Sequence, residues 1–249
     1  MPMIYQRCRP TGCDPAVGQA SKIATMNETP LQPVLATSDS RLAQHAYEQV
    51  LGLIMSRQIA PGTLLQERRL AEYLKMSRTP LRDALLMLEA EGLLVRQGSR
   101  GLQVKAMNIG DFIDNLSIRI LLEPEATRAA TPHVSKDVCA EVTARLETLV
   151  SRACQGEVPD RAEVREIDER LHSMILDAAA NSQMTAIIRT LRRQTQIFDL
   201  RSLPERFEST CREHLAITAA IGGGQADEAA SAMRRHLESV KQSIVTRLG

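Results

Sequence analysis

The stretch from Gln66 to Leu94, "QERRLAEYLKMSRTPLRDALLMLEAEGLL", decides the front of this fold. Ser77 is a natural helix N-cap, and Pro80 falls in the first turn, where a missing backbone donor costs nothing. From there Leu81, Ala84, Leu85 and Leu88 recur at helical spacing until Gly92 ends the run. A shorter helix, "LQERRLAEYLKM", precedes it. Upstream, "RLAQHAYEQVLGLIMSRQI" places Leu42, Ala46, Val50, Leu53 and Ile54 on one helical stripe that "APGT" stops. Downstream, "LLVRQGSRGLQVKA" predicts two short strands around a Gly98-Ser99-Arg100-Gly101 tip. Three helices and a hairpin make a winged helix-turn-helix, assigned to residues 39–106.

Such a domain presents the N-terminal end of its second helix-turn-helix element to a major groove. Arg78 and Arg82 are four apart there, off the apolar stripe, and arginine can hold guanine O6 and N7 with two donors. Ser77 and Thr79 are placed for phosphates or base edges, Arg68 or Arg69 for the backbone, and Arg100, with Gly98 and Ser99 at the wing tip, for a minor groove. At any single position a solvated arginine face would give the same pattern.

The rest of the chain, residues 107–249, is helical throughout. Breaks at "TPHVS", "QGEVPD", "AANSQ", "RSLPER" and "IGGGQAD" divide it into helices over 109–130, 135–154, 160–180, 184–200, 205–222 and 225–247. Short connections predict a compact antiparallel bundle, so the fold class is mainly α with a small β wing. Residues 1–38, rich in Pro, Thr, Gln and Ser without periodicity, are assigned to a disordered tail, and Met26 could be the true start.

Within the bundle, "EIDERLHSMILDAA" carries Asp168 and His172 four apart beside Leu171 and Ile175. His214 shares a stripe with Ile217 and Ile221, and His236 shares one with Met233 and Val240. One histidine on an apolar stripe is ordinarily a satisfied core hydrogen bond. Three, with a carboxylate at helical spacing, are what facing helices converge on a divalent ion, and this donor set suits Zn²⁺ foremost, with Ni²⁺, Mn²⁺ or Fe²⁺ as alternatives. Arg119 lies on a stripe with Phe112, Leu116 and Ile120, a candidate clamp for an anionic effector or half of an interhelical ion pair with a glutamate. Arg189, Arg192 and Arg193 are expected to form a solvated face.

The front stretch resembles the DNA-binding signature of the GntR family of bacterial transcription regulators, through Glu67-Arg68, Ser77-Arg78-Thr79-Pro80-Leu81-Arg82 and Glu91-Gly92-Leu93. One departure is Asp83, where family members often carry Glu. The resemblance implies operator contacts at Arg68, Arg78, Arg82 and the wing glycines. The rear resembles the FCD ligand-binding domain of the FadR subfamily, through Asp168-x3-His172, Glu213-His214 and Met233-Arg234-Arg235-His236; six helices rather than seven suggest its shorter, VanR-like branch. In metal-binding members those four positions hold the ion. The function so implied is a transcriptional regulator, expected to be a repressor, that binds pseudo-palindromic double-stranded DNA as a homodimer and answers to a small organic acid at the metal.

Composition bounds the alternatives. The 249 residues carry a net charge of +1, split into ten Lys/Arg against seven Asp/Glu over 39–106 and eighteen against twenty-one over 107–249. No eighteen-residue apolar run and no apolar secretory core occur, so no membrane partner and a cytoplasmic location are expected. Five scattered cysteines, without a close pair, suit reduced thiols. No nucleophile elbow, P-loop or dinucleotide fingerprint occurs, and "IGGGQAD" follows a helix as a terminator, so the chain is expected not to be an enzyme. A metal sensor in which the ion is the signal, and a metalloenzyme fused to a DNA-binding module, are the competing classes.

Overall fold

The computed structural model describes residues 38–197 and 206–248. The tail assigned to residues 1–38 lies outside these, save Ser38, which opens the first helix. That helix, α1 (Ser38–Met55), packs on α3 (Arg78–Ala90), with α2 (Glu67–Leu74) beside it. The turn between α2 and α3 is tight because Lys75 adopts a left-handed backbone (φ 53°) and returns its amide to Glu72 O and that of Met76 to Ala71 O. Ser77 occupies the N-cap of α3 in extended backbone, as expected, but its hydroxyl makes no capping bond.

The wing pairs β1 (Leu94–Arg96) antiparallel with β2 (Leu102–Val104) in the register Leu94↔Val104 and Arg96↔Leu102. Its tip, Gly98–Arg100, is a single 3-10 turn, and Gly101 (φ 105°) supplies the backbone that turns the chain back. Arg96 donates twice to Glu89, 3.0 and 2.7 Å, fastening the wing to α3. The front core is the predicted stripe of α3, Leu81, Ala84, Leu85 and Leu88, against Ala46, Val50 and Ile54 of α1 and Leu94 and Val104 of the wing.

Asn108 then starts the rear domain through a capping box: its side chain accepts from the Asp111 amide (2.8 Å) while Asp111 accepts from the Asn108 amide. Six helices follow among the described residues: α4 (Ile109–Ala130), α5 (Lys136–Cys154), α6 (Arg161–Ala178), α7 (Ser182–Ile197), α8 (Phe207–Gly222) and α9 (Ala226–Leu248). Their bounds follow the breaks in the sequence, since Asp160 caps α6 and Asn181, from the "AANSQ" break, caps α7 through the Met184 amide. The last residues expected of the fourth bundle helix fall in the undescribed segment. Helix α4 packs on α9, α9 on α8 and α8 on α5, while α6 bridges α4 and α5 and α7 lies against α4. The core between them holds Phe112, Leu116, Val142, Leu146, Ile167, Leu171, Ile217, Met233 and Leu237.

Leu88 is fully enclosed where α1, α3 and the wing meet. Leu88→Ala is expected to cost about 2–5 kcal/mol of the front domain's stability, checked by chemical unfolding followed by circular dichroism; an unchanged midpoint would contradict this packing.

Candidate functional site

Two sets of side chains stand out, one exposed and one buried. The exposed set is the one predicted on the front domain. Arg68, Arg69, Ser77, Arg78, Thr79, Arg82, Gly98, Ser99 and Arg100 all reach solvent from the start of α2, the start of α3 and the wing tip. Arg82 Nε donates to Glu67 Oε2 at 2.7 Å, and Arg68 lies 3.5 Å from Glu72. Both pairs are open to water, where such pairs are worth at most about 1 kcal/mol, so either arginine can be surrendered to a phosphate or base. Exposed guanidinium groups projecting beside the N-terminus of α3, over a rigid wing, form a surface suited to polyanionic DNA.

The buried set lies between α6, α8 and α9. Asp168 and His172 leave α6 one turn apart, His214 comes from α8 and His236 from α9, and one donor atom from each lies within 4.8 Å of the others. His214 Nε2 is 3.3 Å from His236 Nε2, Asp168 Oδ1 is 3.6 Å from His214 Nε2 and 3.8 Å from His172 Nε2. A tetrahedral ion with ligands at about 2.0–2.1 Å separates them by about 3.4 Å, so donors that already lie within 4.8 Å of one another would close by no more than about 1.4 Å between any pair to hold it. The structure thus brings together all four residues predicted from the sequence.

Polar partners fix which nitrogen of each ring faces the centre. His172 Nδ1 donates to Glu123 Oε2 at 2.7 Å and His236 Nδ1 donates to Glu213 Oε2 at 2.8 Å, which leaves Nε2 of each as the ring's acceptor nitrogen, that of His236 in contact with His214 Nε2. His172 Nε2 is buried with no hydrogen-bond partner. Burial, and then Arg192, push the His172 imidazole below its usual pKa, and burial with His236 lowers His214 well below it, so both favour the neutral form that a metal requires. Burial opposes ionisation of Asp168, yet the Arg192 guanidinium and the imidazoles hold its carboxyl well below the usual carboxylate range. Three imidazoles and one carboxylate, one of the nitrogens unpartnered, fit a divalent cation.

Several participants escaped the sequence reading. Arg192, expected on a solvated face, is 4% exposed, and its Nη2 donates to Asp168 Oδ2 (2.9 Å) and Glu169 Oε2 (3.1 Å). Its spacing from buried Ile188 and Thr195 puts it on the inward stripe, and Arg193, expected on the same solvated face, is part-buried against Glu91. Glu123, four residues from Arg119, is a further buried participant whose i, i+4 spacing is its one sign in the sequence. Arg119 itself donates to Glu123 Oε1 (2.5 Å) and to Thr195 Oγ1 (3.2 Å), making a buried ion pair within α4 rather than between helices. Glu213 is fixed by Arg206 Nη2 at 2.8 Å. Burial and then Asp168 push the thiol of Cys211, one turn before His214, up to about 11, so in this structure it is held as the neutral thiol. Cys139, Cys154 and Cys211 are all free thiols. Among the described residues no helix is long and apolar enough to cross a membrane.

Comparison with known proteins adds to this geometry. Residues 42–104 match the gntR family of bacterial regulatory proteins, and residues 114–239 match the FCD domain. The chain is 26% identical over 186 residues to the Nta operon transcriptional regulator of Aminobacter aminovorans, covering 75% of this chain and 86% of that one. It is 26% identical over 191 residues to the transcriptional repressor RspR of Escherichia coli K12, covering 75% and 81% respectively. In fold it superposes on E. coli McbR/YncC with a TM-score of 0.70 at 18% identity, over 84% of this chain and 99% of that one.

Glu123 carries the geometric argument, because two buried cationic or donor groups depend on it. Glu123→Gln, which keeps the shape and removes the charge, is expected to destabilise the metal-free protein by about 3–5 kcal/mol, since Arg119 is left buried without a counter-charge. Urea unfolding in the presence of a chelator measures this, and a loss under about 1 kcal/mol would contradict the buried pair.

Proposed function

The chain belongs to the GntR family of bacterial regulatory proteins, is a transcriptional regulator with an FCD domain, and, we propose, is a repressor whose operator binding is set by a small organic acid held at a divalent metal ion. The observation that carries this reading is the convergence of four donors from three helices, one of them the unpartnered His172 Nε2. Asp168, His172, His214 and His236 would hold the ion, zinc foremost, and Glu123 and Glu213 would orient two of the rings. The ion, once bound, supplies Lewis-acid positions beyond the four protein donors that water or an effector carboxylate can take. Arg119 is the proposed second clamp on the acid, which would exchange with Glu123 for its guanidinium.

DNA reading is proposed for the exposed set. Arg78 and Arg82 face base edges, Ser77 and Thr79 the groove wall, Arg68 and Arg69 the phosphates, and Gly98, Ser99 and Arg100 the adjacent minor groove. One such reader per chain, and a two-fold operator, call for a homodimer. The acid controls binding by linkage: it must favour one placement of the two winged helices over the other, and only the placement it disfavours fits the operator spacing.

Three outcomes are expected. The double variant His214→Ala/His236→Ala loses bound metal by elemental analysis, and full retention would refute the site. Arg82→Ala binds a fragment of DNA from upstream of its own gene about tenfold to a hundredfold more weakly in a gel shift, with unchanged circular dichroism; equal binding would sink the assignment of that helix. In a thermal-shift screen of small organic acids, the acid that raises the melting temperature does so only for metal-loaded protein, and an equal shift after chelation would remove the ion from the effector site.

A further inference from the structure

Four consecutive residues of α7 connect the buried centre to the end of the DNA-reading helix. Asp168 divides its two oxygens: Oδ1 faces His172 and His214, while Oδ2 accepts from Arg192 at 2.9 Å. A second route leaves the centre through His172 Nδ1 to Glu123, from Glu123 to Arg119, and from Arg119 Nη1 to Thr195 Oγ1. Both routes end on α7. Between them in sequence, Arg193 and Gln194 point to the front domain. Arg193 Nε donates to Glu91 Oε2 at 2.9 Å, and Gln194 Nε2 donates to the Glu91 backbone carbonyl at 2.6 Å. Glu91 is the C-cap of α3, and Tyr47 of α1 donates to the same carboxylate. Gln194 lies so close to Gly92 that a Cβ there would meet its Nε2 at 2.8 Å. One turn later, Ile197 is buried in the front core itself.

We propose that α7 is the element through which the state of the metal centre is transmitted to the reading helix, with Arg192 as the residue that senses it. This rests on the metal reading above. Without an ion, the Asp168 carboxylate is neutralised by Arg192, which is why the guanidinium can be buried. With an ion held by Asp168 and the three histidines, the carboxylate would be shared with a second cation, so the Asp168–Arg192 contact would weaken. Arg192 keeps Glu169 as its remaining partner at 3.1 Å, on the solvent side of α6, and its shift toward that carboxylate turns α7. Arg193 and Gln194 are rigidly joined to Arg192 by the helix, so their hold on Glu91 loosens with it.

The test uses the full chain with Zn²⁺ or Mn²⁺ alone as the probe, metal uptake measured by calorimetry, and amide exchange measured by mass spectrometry. Gly92 and Leu93 report, because their amides bond Glu89 O and Leu88 O at the end of α3. Saturating metal is expected to speed their exchange about fivefold or more while slowing that of α6, α8 and α9. In Arg193→Ala/Gln194→Ala, and in the milder Arg193→Gln, metal uptake is expected to persist while the response at Gly92 and Leu93 disappears or is reduced. If the chain takes up no metal, the metal reading falls and this inference with it. If metal binds and exchange at Gly92 and Leu93 is unchanged or slower, the inference alone falls. An acceleration that survives in full in both variants would also overturn it, by showing a route that bypasses α7.

Discussion

The carboxylate of Glu123, 2% exposed in the middle of a bundle, is the constraint from which the rear domain is organised. Burial alone would protonate it. The Arg119 guanidinium and the His172 imidazole hold it ionised instead, well below the usual carboxylate range. Each of those partners is thereby committed: Arg119 is buried because Glu123 neutralises it, and His172 presents Nε2 to the centre because its Nδ1 is spent on Glu123. Asp168 and Arg192 repeat the arrangement one layer away. Two acids and two arginines balance their charges in the core, so a dication would be surplus positive charge. Glu169, at the rim, is the group in reach to offset it, since Glu213 is already paired with Arg206. A site balanced without its ion responds electrostatically when the ion arrives, whereas one left strongly negative would mainly be filled.

This balance also explains which parts of the molecule were legible in the sequence. Helix positions were, because each depends on its own residues: the Asn108 capping box, the Asp160 and Asn181 caps and the Gly92 terminator act within a few positions of themselves. The four converging donors were, because each is a polar residue placed against the apolar period of its own helix. Their supports were not. Glu123, Glu213 and Arg192 find their partners on other helices, at separations of 23 to 49 residues, and no local pattern encodes such a meeting. Two weaker signs existed: Arg119 and Glu123 share an i, i+4 spacing, and Arg192 falls on the stripe of Ile188 and Thr195. A charged residue on an apolar stripe signals a buried partner elsewhere, and that inference applied to Arg192 as much as to Asp168.

The two halves of the chain use their arginines in opposite ways. On the front domain they are exposed, paired loosely if at all, and cost almost nothing to redirect, which suits groups that exchange carboxylates for phosphates and bases. In the rear domain they are enclosed, and moving one costs several kcal/mol unless a second acid is in reach. Arg192 has that second acid in Glu169, on the same turn of α6 as Asp168. It is therefore the buried cation in this bundle with an alternative partner among the contacts seen, and an element with two discrete arrangements is what propagation over a distance requires. The helix that carries Arg192 is also the one that grips the end of α3, so the arrangement with the smallest cost of switching is located where switching would reach the DNA-binding surface.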